Sequence, residues 1–192
     1  MFKDLVLANR SYRGFDRTRP VSREELLSFI DLARQTPSGG NLQPLRYRLV
    51  TDARETAAVQ ALSRWGAALP ELHLPFPGTE APAFVLLCAD KNVVKDAAAC
   101  GPDVGIAAQT LLLAAAEQGL GGLMIQNFDK AKTAEALKLP ENLLPALLIA
   151  VGKPCEKVVL EEAEAGQSLK YYRDAEGAHH VPKRRLEDVV IG

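Results

Sequence analysis

Two arginines near the N-terminus flank a serine at a spacing suited to anion binding. Arg10, Ser11 and Arg13 lie in the segment N-R-S-Y-R-G-F, residues 9–15. Residues three apart share a face on a helical turn, so on such a turn both guanidinium groups can reach one phosphate, and the Ser11 hydroxyl can donate a further hydrogen bond. Two solvated surface arginines would show the same spacing. The pattern alone therefore leaves open a phosphate site or an exposed basic turn.

A second polar segment carries two side-chain amides. It reads P-S-G-G-N-L-Q-P over residues 37–44. Asn41 and Gln43 each offer a paired donor and acceptor, which suit a ring with alternating C=O and N–H groups. Pro44 favours an extended conformation at Gln43. Glycine and asparagine also suit a turn that ends a helix, and both interpretations can hold. A phosphate site together with an amide-bearing loop predicts a nucleotide-like cofactor.

Capping signals and hydrophobic periodicity predict the elements that carry these segments. Ser22 and Glu25 have the spacing of a capping box, and an apolar stripe follows, which predicts a helix over about 23–35. Residues 103–118 are apolar on several faces, so we expect a central helix there, with Asp103 favoured at its positive end. Alternation or short apolar runs predict four strands: 47–51, 83–89, 123–126 and 146–151.

A glycine cluster follows the predicted central helix. Gly119, Gly121 and Gly122 are close to the spacing of a dinucleotide-binding loop. They come after a helix instead of opening one, so that fingerprint fails. We interpret them as the end of the helix and the reversal into the next strand.

Four segments in order resemble the nitroreductase-like family of FMN-dependent oxidoreductases. They are the Arg/Ser/Arg run before Phe15, the P-S-x-x-N-x-Q-P loop, the helix and strand over 107–129, and V-P-K-R-R-L-E-D-V-V over 181–190. Each is weakly specific alone, but together they cover nearly the whole chain. The resemblance implies a single α+β domain over 1–192, with a mostly antiparallel central sheet flanked by helices. It also implies an intertwined homodimer with two FMN sites at its interface.

The resemblance further implies which residues bind the phosphate group of FMN. The N-terminal ligands would be Arg10, Ser11 and Arg13. Two of the three cations at 183–185 would join them, and the family pattern favours Lys183 and Arg184. The family commonly has another arginine where this chain has Asn9, which removes one positive charge.

The flavin ring is assigned to two other parts of the chain. In the family, backbone amides of the strand after the central helix approach the N5 edge and O4 of the ring, where a donor stabilises negative charge on the reduced flavin. The implied ring-binding residues are Ser38, Gly39, Asn41, Gln43, Met124, Gln126 and Asn127.

The implied activity is hydride transfer through the flavin. NAD(P)H would reduce flavin N5, leave, and be replaced on the same face by a nitroaromatic, a quinone or a similar acceptor, in a ping-pong cycle. No persuasive Ser/His/Asp or Cys/His constellation occurs, which fits chemistry carried by the cofactor and no catalytic side chain. Two alternatives stay open. One is a specialised family member that performs dehalogenation, flavin breakdown or azoline dehydrogenation, and the other is a non-catalytic flavin-binding module.

Composition narrows the setting of the protein. The 23 basic and 24 acidic residues give a net charge of -1, which predicts no broad nucleic-acid surface. Three cysteines without C-x-x-C spacing indicate neither a zinc site nor a disulfide framework and favour a cytoplasmic location. Lys3 and Asp4 argue against a signal peptide, and no apolar run is long enough to predict a membrane span.

Two further segments lack strong periodicity. Residues 65–81 are rich in proline and glycine, and we interpret them as a loop over the site. Trp65 at its start could stack over a substrate, but the ordinary role of a partly buried tryptophan is favoured. The stretch after Pro154 is polar and has too few core-forming residues for a second domain, and the family resemblance implies that 155–192 is a C-terminal arm that packs on the partner subunit. We expect His179 and His180, within it, to be exposed.

Overall fold

The computed structural model describes residues 1–192, the whole chain. Its five α-helices are Phe2–Ala8 (α1), Arg23–Ala33 (α2), Ala53–Ala61 (α3), Gly101–Glu117 (α4) and Lys130–Ala136 (α5). Its seven strands are Leu45–Val50 (β1), Ala83–Asp90 (β2), Gly121–Ile125 (β3), Leu143–Gly152 (β4), Val158–Ala163 (β5), Tyr172–Arg173 (β6) and His179–Arg184 (β7). Both predicted helices and all four predicted strands are confirmed, with ends shifted by a few residues.

A four-stranded antiparallel sheet forms the centre of the fold. Its strand order is β1-β2-β4-β3. Every residue of β2 is buried, because β2 lies between two strands and is covered on both faces. Successive side chains point to opposite faces of a strand. Accordingly, Val85 and Leu87 of β2 belong to one hydrophobic cluster, whereas Phe84 and Leu86 belong to the other.

Helices cover both faces of this sheet, as the α+β prediction requires. On one face, Leu26 and Phe29 of α2 and Leu111 of α4 pack with the first cluster. On the other, Val59 of α3 packs with the second cluster, and Trp65 contributes to it as well. Trp65 packs edge-to-face against Phe15 and Phe84, with centroid distances of 6.2 and 6.5 Å. The ordinary packing role expected for this tryptophan is confirmed.

Helix α4 is less central than its composition predicts. Its buried residues lie on one side, towards α2 and the sheet. On the other side, Gly105 and Gln109 are exposed and Ile106 is 41% exposed. By length and composition alone, the segment Ala97–Glu117 is apolar enough to cross a membrane. A core helix meets the same criterion. The apolar composition of α4 is explained by one side that is buried in the core and another that is apolar but exposed.

The N-terminal segment is extended, and the helical turn considered for Arg10 and Arg13 is wrong. Helix α1 ends at Ala8. Ser11 then pairs with Gly122 of β3 in a short parallel bridge, in which Tyr12 N donates to Gly122 O at 3.0 Å. Strand β3 is an edge of the central sheet, so its backbone groups are free to pair with this segment.

The close packing around Gly122 leaves no room for a side chain at this position. A Cβ atom there would lie 2.2 Å from Ala150 O and 2.6 Å from Leu112 Cδ2. We expect Gly122→Ala to lower the free energy of unfolding by about 1–3 kcal/mol, as overpacked cores do. Urea denaturation monitored by circular dichroism measures the change. Gly105→Ala is the matched control because nothing lies within 4 Å of its added Cβ; equal midpoints for the two variants would contradict the prediction.

The C-terminal segment forms a second, three-stranded sheet of order β5-β7-β6. Its central strand, β7, pairs in parallel with β5 and antiparallel with β6. The expected exposure of His179 is wrong: its side chain is 1% exposed, because it lies on the inward face of this central strand. His180, on the opposite face, stacks on Tyr172 and its Nε2 lies 2.8 Å from Asp174 Oδ2. The packing of 155–192 on a partner subunit stays a prediction.

Candidate functional site

The N-terminal segment, α4, β3 and β7 enclose a pocket of about 360 Å³. Five of the residues predicted to bind the cofactor line it: Arg10, Ser11, Arg13, Met124 and Lys183. Ser11 and Met124 come together because Ser11 pairs beside β3. Lys183 comes from the other end of the chain on β7. The structure therefore brings together the two cationic segments that the sequence separates most widely.

The lining of this pocket carries positive charge and no negative charge. Arg10, Arg13 and Lys183 line it, and no aspartate or glutamate does. Asn9, where the family commonly has arginine, also lines it and donates to Gln109 of α4 at 3.3 Å. Such a lining attracts an anion, and guanidinium groups match the oxygens of a phosphate in particular. We call it the anion pocket.

Three nitrogen atoms of residues in the anion pocket are buried without a hydrogen-bond partner. They are Arg10 Nε, Arg13 Nε and His179 Nδ1. Buried polar groups in proteins are nearly always paired, so each orphan requires an explanation. An oxyanion ligand supplies acceptors for N–H donors of this kind. The residues present therefore fit the phosphate group of a cofactor.

The two arginines are held differently by the chain. Arg10 Nη2 donates to Val6 O at the end of α1, at 2.6 Å. Arg13 is only 8% exposed, and its guanidinium lies 4.8 Å from the ring centroid of Tyr171. Burial is the main reason that the pKa of Arg13 is lowered. An arginine keeps its charge in proteins, so Arg13 is a buried cation. The carboxylate of Glu156 accepts from Arg13 N and also pairs with Arg173, so an anionic ligand would add a second counter-charge for the two arginines.

Strand alternation separates the three C-terminal cations. Lys183 shares the inward face of β7 with His179 and Val181, and all three line the anion pocket. Arg184 lies on the opposite face of the strand, outside the pocket. Arg185 lies 3.5 Å from Glu164 and 3.4 Å from Glu187. Of the pair that the family pattern favours, the structure brings only Lys183 to the pocket, and a binding role for Arg184 stays a prediction.

The predicted ring-binding loop lies elsewhere, beside a smaller pocket of about 120 Å³ between α2, β1 and α4. Ser38 and Gln43 line this second pocket, which we call the loop pocket. Asp103 holds the loop in place: its Oδ1 accepts from Ser38 Oγ at 2.5 Å and from Gly39 N at 3.3 Å. The sequence predicted only a helix-end role for Asp103, because a hydrogen bond between residues 65 apart has no local pattern.

The loop conformation also differs from expectation at Gln43. Its φ is 49°, in the left-handed region, so the extended conformation predicted from Pro44 is wrong. The reason is a tight turn around Ser38, whose Oγ accepts from Gln43 N at 3.0 Å. Asn41 also has a positive φ of 53°, and its Oδ1 accepts from Gln43 Nε2 at 3.1 Å. Both amides are thereby presented at the surface as one exposed pair.

Of the three candidates at the end of β3 and just beyond it, only one lies at the anion pocket. Met124 alternates outwards from β3 and lines the anion pocket. Gln126 and Asn127 lie beyond the strand, exposed, and line neither pocket. The backbone carbonyl of Asn127 accepts from Arg64 N at 2.8 Å. Their predicted contact with a flavin stays a prediction.

The anion pocket and the loop pocket are reached from different sides of α4. Ala107 lines the loop pocket, and Gln109 lines the anion pocket. Two residues correspond to about 200° around a helix, so these side chains point in nearly opposite directions. Within one chain, the phosphate-binding and ring-binding candidates therefore do not face a common space.

Two curated relatives cover most of the chain. A candidate NADH dehydrogenase/NAD(P)H nitroreductase of Archaeoglobus fulgidus is 25% identical over 165 residues, which cover 83% of this chain and 89% of that protein. Iodotyrosine deiodinase of Thermotoga neapolitana is 26% identical over 174 residues, which cover 80% and 89% of the two proteins. Similarity at this level spans enzymes with different names.

Solved structures show the same fold, and a family-wide comparison identifies the family. A candidate nitroreductase from Exiguobacterium sibiricum, solved in complex with FMN, superimposes with a TM-score of 0.65. It is 19% identical, and the match covers 81% of this chain and 89% of that one. The sequence model of the Nitroreductase family matches residues 6–153, which include the anion pocket's N-terminal ligands, the loop, α4 and β3. This chain therefore belongs to the nitroreductase family.

Proposed function

We propose that the protein is an FMN-dependent oxidoreductase that passes hydride from NAD(P)H to a small-molecule acceptor such as a nitroaromatic or a quinone. The observation that carries the proposal is the anion pocket, with its three cations, no carboxylate and three unpartnered buried nitrogen atoms. The relative named for NADH and NAD(P)H reactions supports the reductant, and the FMN complex of the structural relative supports the cofactor.

In this proposal the chain binds and orients the cofactor, and FMN supplies the hydride chemistry. Arg10, Arg13 and Lys183 hold its phosphate, and Ser11 adds a hydroxyl. Met124, near the end of β3, lines the anion pocket. The exposed amides of Asn41 and Gln43 offer donors and acceptors to the polar edge of a flavin ring.

A homodimer would complete the site. Because the two pockets lie on different sides of α4, the loop of one subunit would meet the anion pocket of its partner. Large exposed apolar residues support such an interface, which would remove them from water. They lie on α1, on the outer side of α4 and in the C-terminal tail: Phe2, Leu7, Ile106, Leu186, Val189, Val190 and Ile191.

The three cysteines are free, with Cys88 and Cys100 buried and Cys155 exposed, which suits a cytoplasmic enzyme.

A second candidate is reductive dehalogenation of an aromatic substrate, which is favoured by the relative named iodotyrosine deiodinase. Assays with a quinone, a nitroaromatic and an iodinated tyrosine under the same reductant distinguish the two, since a dehalogenase releases iodide.

Purification provides the first test. We expect a yellow protein with about one FMN per chain, which heat or acid releases intact because the contacts are non-covalent. Addition of NADH or NADPH should bleach the flavin absorbance, and a quinone should restore it through repeated turnovers. A colourless protein that takes up no added FMN would refute the proposal. A yellow protein that neither reductant bleaches would instead indicate a flavin-binding module.

A further inference from the structure

His179 lines the anion pocket, where no role was expected for it. Its side chain is 1% exposed, and its ring centroid lies 5.0 Å from that of Tyr171. It shares the inward face of β7 with Lys183. A buried histidine beside the buried guanidinium of Arg13 is costly unless its ring stays neutral.

The contact between His179 and Arg13 defines the state of the imidazole. His179 Nε2 lies 3.1 Å from Arg13 Nη1. A guanidinium donates and never accepts, so Nε2 is the acceptor and the ring proton is on Nδ1. Burial first, and then the charges of Arg13, Arg173 and His180, lower the pKa of His179 to about 4. The ring is therefore neutral at physiological pH.

This contact occupies one edge of the Arg13 guanidinium. Arg13 Nη1 also donates to Ser11 O at 3.0 Å, so both of its hydrogens are used within the chain. Nη1 is the nitrogen on the Cδ side of the guanidinium. The other edge carries the parallel hydrogens of Nε and Nη2, and Nε is buried without a partner. Two parallel donors are the arrangement that binds phosphate oxygens in a bidentate manner.

We propose that His179 is a positioning residue of the anion pocket: by accepting from Nη1, it holds the guanidinium of Arg13 so that its Nε–Nη2 edge is presented to the phosphate. Without this acceptor, Nη1 keeps a buried hydrogen without a partner, and the guanidinium rotates to satisfy it. The inference rests on the proposed function for the identity of the ligand. The hydrogen bond between Arg13 Nη1 and His179 Nε2 forms within the chain and requires no ligand.

Two variants and two ligands test the proposal. His179→Phe keeps a flat ring and removes the acceptor, whereas His179→Gln places a side-chain amide oxygen within reach of the same position. Dissociation constants are measured by flavin fluorescence for FMN and for riboflavin, which lacks the phosphate. We expect His179→Phe to bind FMN about tenfold more weakly, equivalent to the loss of one hydrogen bond, and riboflavin as the wild type does. His179→Gln should recover most of the FMN affinity.

The outcomes separate positioning from a general structural role. His179→Phe that binds FMN as tightly as the wild type, or that loses FMN and riboflavin equally, overturns the proposal. So does His179→Gln that is no better than His179→Phe. Thermal melts without ligand establish that both variants fold.

A spectroscopic readout tests the hydrogen bond without any flavin. Nitrogen-15 NMR of the apoprotein at neutral pH should show His179 protonated at Nδ1 and unprotonated at Nε2. Arg13→Met should remove this tautomer preference and raise the pKa of His179. A ring protonated at Nε2 overturns the inference, whatever the FMN affinity. A wild type with the expected tautomer that binds no FMN refutes the proposed function instead.

Discussion

Arg13→Ala is expected to weaken FMN binding by about 10- to 150-fold. The guanidinium is the most deeply buried cation of the anion pocket, and charge-assisted hydrogen bonds of this kind contribute roughly 1.5–3 kcal/mol. Because Arg13 is shielded from solvent, added salt should weaken the wild-type interaction less than it would weaken an exposed basic patch. Titration of apoprotein with FMN, followed by flavin fluorescence, measures both effects.

Two variants keep this prediction decisive. Arg17→Ala removes an exposed arginine of the same segment, whose partner is Glu80 at 2.8 Å, and should leave FMN affinity unchanged. Lys183→Ala should act in the same direction as Arg13→Ala, and it spares the buried contacts because Lys183 is exposed. Unchanged affinity in both Arg13→Ala and Lys183→Ala would show that the phosphate does not bind in the anion pocket.

A mixed dimer should recover the binding that two separate variants lose. Lys183→Glu places a negative charge at the mouth of the anion pocket. Asn41→Asp places one in the loop, where the remaining side-chain oxygen still accepts from Gln43 Nε2. Each variant alone should bind FMN poorly, because each puts a carboxylate beside an electron-rich or anionic part of the ligand. If the two segments meet across the interface, a mixed dimer has one site with both changes and one with neither.

The experiment uses two affinity tags to isolate mixed dimers after co-expression, with mass spectrometry to verify their composition. We expect FMN binding and NAD(P)H oxidation to recover towards one intact site per mixed dimer. Each variant carrying both tags on its own is the control and should show no recovery. Verified mixed dimers without recovery would mean that Lys183 and Asn41 serve a flavin within one chain, which refutes the shared site.

Local patterns in the sequence were sufficient to predict helices α2 and α4 and the four strands of the central sheet. The capping box at Ser22 is present in the structure, where Ser22 Oγ accepts from Glu25 N at 3.1 Å and Glu25 Oε2 accepts from Ser22 N at 2.8 Å. The apolar run at 83–89 became β2, the most buried strand. Both signals depend on residues close together in the chain, so no knowledge of the tertiary fold was needed to interpret them.

The errors came from contacts between distant residues. The N-terminal segment is extended because it pairs with the edge of β3, and Gln43 is left-handed because the loop turns around Ser38. His179 was expected in solvent because its neighbours in the sequence are polar. It is buried because β7 is the middle strand of its sheet, a fact that depends on pairing with two other segments.

The sequence by itself determined the family and the α+β class, and it supplied candidate residues for a phosphate and a flavin ring. Those conclusions depend on residue types and short-range order, which the chain carries whatever its fold. Only the tertiary structure decided which of these residues meet. Arg13 and His179 are 166 residues apart, and Ser38 and Asp103 are 65 apart. Strand pairing and helix packing bring such groups into contact. Local sequence patterns do not predict contacts between residues so far apart in the chain.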